Sequence, residues 1–79
     1  MSKKSPSTLR RQLSQADREL AEALTARDGL QAELTAAGAD HEELLRLSAK
    51  LAASQGRVDA AEGRWLSLAD EAETLGMEI

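Results

Sequence analysis

Lys50, Arg57 and Arg64 recur at every seventh residue, Arg11 and Arg18 stand seven apart near the start of the chain, and Arg10 adjoins the first of that pair. On a helix with a heptad pattern, residues seven apart lie on one line. Two short basic rows of this kind can follow a phosphate backbone, a contact that is salt-dependent and blind to sequence. The same cations can instead pair with acids on a neighbouring helix, which is the ordinary use of charged rows on soluble helices. Base stacking has no support, because Trp65 is the one aromatic in 79 residues.

Other chemistry finds little footing. His41 is the single histidine, flanked by Asp40, Glu42 and Glu43. One imidazole with adjacent carboxylates at a turn lacks the convergent geometry of a metal site, so no metal is expected. With no Cys and no serine near a base, nucleophilic catalysis is unsupported. The five glycines fit neither a phosphate-binding loop of the G-x-x-x-x-G-K-[ST] kind nor a dinucleotide fingerprint. The expected chain is not an enzyme, has no catalytic residues and carries no cofactor of its own.

The elements that must position these residues follow from composition. A chain of this length has room for one domain, and below roughly 70 to 80 residues a lone core seldom supplies more than about 3 to 5 kcal/mol. Without cysteines, disulfides cannot help. Ala, Leu, Glu, Arg, Gln and Lys dominate and favour helices, whereas a sheet would want aromatic and β-branched residues. Leu9, Leu13, Ala16, Leu20, Ala23, Arg27, Leu30, Leu34 and Ala37 step by four and three without a break. A second row runs Leu44, Leu47, Leu51, Ser54, Val58, Ala61, Trp65, Leu68, Ala72, Leu75 and Ile79. This is the seam spacing of a coiled coil. The fold class is therefore all-α, a two-helix antiparallel coiled-coil hairpin. Residues 1–7 read as a linker and 8–79 as the hairpin, with helices over about 6–37 and about 41–76 and a turn at 38–40. Ser5 and Pro6 suit a helix start, Gly38 a left-handed stop, and Asp40 with Glu43 a capping box.

The short turn makes the helices antiparallel, so the seam can be paired across them. One register sets Leu34 opposite Leu47, Leu30 opposite Leu51, Leu20 opposite Ala61, Ala16 opposite Trp65 and Leu13 opposite Leu68. It also brings the two polar seam residues, Arg27 and Ser54, into one layer. Beside the seam it places Glu19 near Arg64 and Glu33 near Lys50, while Asp17 near Glu62 is a mismatch. Trp65 reads as a seam anchor covered by Ala16 rather than a partner-binding hot spot. Gly29, Gly56 and Gly63 fall on outward positions. A two-layer hairpin covers its core thinly, so two hairpins could pair as a homodimer.

The formal charge is -4, but the chain starts basic and ends acidic, with Asp70, Glu71, Glu73 and Glu78 unopposed in the last ten residues. No apolar run approaches the ~20 residues that cross a bilayer, and no signal sequence is visible, which points to a cytoplasmic protein without membrane partners.

The stretch D-A-A-E-G-R-W-L-S-L-A at 59–69, with H-E-E-L-L-R-L-S-A-K-L-A-A-S-Q upstream, resembles the C-terminal coiled-coil domain of the ABC-F family of soluble ATP-binding cassette proteins, of the Uup-like type. Glu62, Arg64, Trp65 and Leu66 carry the acidic, basic, Trp, Leu order of that family, and Gly63 departs from it, standing where a charged residue is common. The resemblance spans about Leu9 to Glu73, and the loop A-A-G-A-D-H-E looks actinobacterial. It implies a parent protein with two ATPase cassettes that bind ATP and Mg and act on the ribosome in translation. It also implies a C-terminal arm with a nucleic-acid role, here weak DNA or RNA contacts through Arg10, Arg11, Arg18, Lys50, Arg57 and Arg64. The rival reading is a protein-interaction coiled coil that docks on the parent's ATPase domains or on another hairpin.

Overall fold

The computed structural model describes residues 5–76. Ser5 opens the first helix: its hydroxyl accepts from the Thr8 backbone N–H at 3.3 Å and donates to Thr8 Oγ1 at 2.8 Å. A backbone donor that the first turn would leave unpaired is thereby satisfied. Pro6 takes the first helical position, where its missing N–H removes no bond. Helix α1 then runs Pro6–Ala36. Ala37 closes it by donating its N–H to the Glu33 carbonyl at 2.9 Å, and Gly38 follows with φ 62°, a conformation that crowds any Cβ. Asp40 caps helix α2, His41–Thr74, by accepting from the Glu43 N–H at 3.2 Å.

Only half of the capping box forms. The Glu43 carboxylate engages the Arg46 guanidinium instead of returning to Asp40, and the Asp40 N–H donates to the Ala37 carbonyl at 3.3 Å. Of the stretch 1–7 read as a linker, Ser5 is the cap, Pro6 and Ser7 are helical, and 1–4 lie outside the described residues, with Lys3 and Lys4 among them. At the other end α2 stops at Thr74, and 77–79, including Glu78 and the last heptad residue Ile79, also lie outside them.

The described residues thus form an all-α helical hairpin, two helices and no strand. Its extents are 54 × 20 × 14 Å. The long dimension is one helix length and the short ones are a helix or two thick, since a helix is about 10–12 Å across. There is no second layer to close over the seam. Consequently the buried core is a line: Leu9, Ala16, Ala23, Leu47, Ser54, Val58, Leu68 and Ala72. Leu9, Ala16, Leu68 and Ala72 pack as one cluster at the open end, with Leu13 and Trp65 against it. Four of the residues buried on the line are Ala or Ser, which lets the helices approach closely. Leu13, Leu20, Leu30, Leu34, Leu44, Leu51, Ala61 and Trp65 are half-buried, and Leu75 is exposed.

Two glycine substitutions separate the two demands on backbone freedom. A Cβ on Gly56, inside α2, meets nothing within 4 Å, whereas Gly38 holds its positive φ in the turn. Gly56→Ala should therefore stabilise the hairpin by about 0.5–1 kcal/mol. Gly38→Ala should destabilise it by about 1 kcal/mol. Urea denaturation reads both, and shifts of the same sign would contradict this account.

Candidate functional site

Lys50, Arg57 and Arg64 follow one flank of α2 at intervals of about 10.5 Å, given the ~1.5 Å rise per residue. All three are exposed. Arg64 Nη1 donates to Glu19 Oε2 at 2.5 Å, the one ion pair that joins the two helices among the described residues. Its partners are 45 positions apart in sequence, so this contact pins the register. With both side chains 42% exposed, it marks geometry more than it adds stability, since such pairs contribute about 0.2–1 kcal/mol.

The other cations differ. No ion pair joins Lys50 to Glu33, and Arg57 has none either. The register sets Arg57 across from Ala26, which offers no charge. On α1, Arg11 and Arg18 share the outward line, one helical position round from Arg10, and all three are exposed without an ion pair among the described residues. The structure therefore brings Lys50, Arg57 and Arg64 together as one row and leaves Arg10, Arg11 and Arg18 on a separate face. The six cations do not form one patch. Between α2's cations run Glu19 and Glu33 of the facing flank, so the row lies in mixed charge.

Sequence reading overlooked Arg46. Its hydrogen bond from the guanidinium to the Glu43 carboxylate, and the charge of that group, raise its pKa above the usual arginine range. The signal was available as Glu and Arg three apart in the first turns of a helix. The exposure of Leu45 and Leu66, the latter named above only for the family order, was not foreseen either. They are 61% and 56% exposed, on the side of α2 away from the basic row, where the heptad pattern asks for polar residues. A shallow cleft of ≈ 390 Å³ opens between the helices, lined by Arg27, Gln31, Ser48, Leu51, Ala52 and Gln55. His41 stands exposed at the start of α2. Among the described residues no group of three or more His, Cys, Asp or Glu side chains could hold a metal ion.

With this geometry in place, comparison with known families becomes decisive: the family model of the ABC transporter C-terminal domain matches residues 4–70. The chain belongs to this family. No curated protein and no solved structure matches it. The match takes in the Ser5 cap, the Gly38 turn, the Glu19–Arg64 pair and Trp65. An ABC transporter C-terminal domain is an accessory part of an ABC protein, and here that part is the hairpin itself. Among the described residues no helix of this ABC transporter C-terminal domain is long and apolar enough to cross a membrane.

A double-mutant cycle with Glu19→Gln and Arg64→Gln should give a coupling of about 0.5 kcal/mol at low salt, fading towards zero near ~1 M salt. A coupling above about 2 kcal/mol, or one indifferent to salt, would mean that the pair is far less exposed than the structure has it.

Proposed function

We propose that this domain is the C-terminal arm of a cytoplasmic ABC-F ATPase, Uup-like and of the actinobacterial type, and that it makes weak contacts with DNA or ribosomal RNA phosphates. The observation that carries the reading is the pair Lys50 and Arg57. They are exposed, one heptad apart on one line, and neither is consumed by an ion pair. Arg10, Arg11 and Arg18 supply a second, independent set of free cations at the open end. Arg64 contributes less, because Glu19 already neutralises it. Contacts of this kind release counterions, so affinity falls steeply with salt while sequence is ignored. The arm itself performs no catalysis in this reading. ATP and Mg belong to the cassettes of the parent protein, whose Uup-like identity is supported by the Glu62, Arg64, Trp65, Leu66 order.

A second reading is favoured by a different observation. Leu45 and Leu66 are exposed, and most of the seam leucines are only half-buried. A hairpin of this kind can dock on the parent's ATPase domains or pair with a second hairpin, burying apolar surface. Such association is nearly indifferent to salt.

Titrating duplex DNA and an RNA hairpin with the domain at several salt concentrations distinguishes the two. Lys50→Gln with Arg57→Gln should weaken binding to both nucleic acids and lower the salt slope by about 2. Arg64→Gln should change it by less than 1 on the same scale. Unchanged affinity at low salt of a variant that adds Arg10→Gln, Arg11→Gln and Arg18→Gln to these two would remove the phosphate reading and leave docking.

A further inference from the structure

One seam layer of the hairpin is built differently from the others. Every other layer pairs apolar residues, but Arg27 and Ser54 meet in one layer about a third of the way from the turn to the open end. They do not bond to each other. Arg27, half-buried, donates through Nε and Nη2 to Oδ1 of its neighbour Asp28, at 3.2 and 3.0 Å. The Ser54 side chain is left 8% exposed, its hydroxyl oxygen buried without a hydrogen-bond partner. A buried hydroxyl that gave up water and gained nothing favours opening of its layer. On each helix a glycine lies two residues beyond this layer, Gly29 on α1 and Gly56 on α2, and a Cβ on either would meet no atom within 4 Å. Each relaxes its helix locally. The cleft between the helices lies at the same level, with Arg27 and Leu51 in its wall.

From these coincident features we infer that the hairpin carries a flex point at the Arg27–Ser54 layer, which divides it into two units that open and bend separately. The open-end unit is held by the cluster of Leu9, Ala16, Leu68 and Ala72 with Leu13 and Trp65, and braced by the Glu19–Arg64 pair. The turn-end unit has Leu47 buried and Leu30, Leu34 and Leu44 half-buried along the same seam, and it is closed by the capped turn at Gly38 to Asp40. Local opening of this kind exposes amides to solvent without unfolding the whole chain. The flex point rests on seam geometry alone and holds whichever partner the hairpin contacts.

Hydrogen exchange of the full chain, corrected for intrinsic rates, tests it. Amides over 24–31 and 51–58 should exchange at least ~10-fold faster than those over 12–20 and 61–69. Equal or greater protection around the layer overturns the inference. Replacing the layer by the apolar pair used next to it, Arg27→Leu with Ser54→Leu, should bring the amides around it to the protection of the open-end unit. If they stay fast in the double variant while circular dichroism shows the helices intact, the polar layer is not the cause and the inference fails.

Discussion

Everything in this molecule depends on one narrow line of side chains where two helices touch. A hairpin two helices wide has no third element to bury its flanks, so the seam must hold the fold by close approach instead of by bulk. That is why Ala16, Ala23 and Ala72 are among the most buried residues while most of the seam leucines and Trp65 are only half covered. Small residues on one helix admit large ones from the other, as where Trp65 and Leu13 pack against the cluster containing Ala16 and Leu68. Close packing of this sort is sensitive to register, because a slip of one residue would set large against large and turn the apolar stripe off its partner.

The hairpin was legible in the sequence because several local signals agree with one global pattern. The two uninterrupted heptad rows gave the helices, and the Ser5, Pro6, Gly38 and Asp40 punctuation marked their ends. Pairing the rows also placed Glu19 beside Arg64, and that ion pair is present. What escaped was the behaviour of long side chains. Arg27 lies in a layer with Ser54, yet its guanidinium finds Asp28 on the surface, where desolvation is smaller. Glu43 takes the charged Arg46 as its partner, while the Asp40 N–H donates to the Ala37 carbonyl. Glu33 and Lys50 face one another by register but make no ion pair, since ordering two exposed, flexible chains offsets the attraction. Spacing tells which residues share a face; it does not tell which rotamer each adopts.

Charge shows the same division. The net value of -4 conceals a basic start and an acidic finish that antiparallel packing lays alongside each other, with Leu9 of one helix packed beside Ala72 of the other. The cations do not merge into a patch. One row flanks α2 within mixed charge, and the other lies on the outward side of α1. Membership of the ABC transporter C-terminal domain family makes the hairpin an accessory part of an ABC protein.

The central claim is the antiparallel register, and Trp65 reports on it most directly. In a nuclear Overhauser spectrum of the dilute protein, the indole protons of Trp65 should show cross-peaks to the Ala16 methyl and to Leu13. Strong cross-peaks to Ala23 or Leu30 in their place, or cross-peaks to Ala16 that vanish on dilution, would contradict the account.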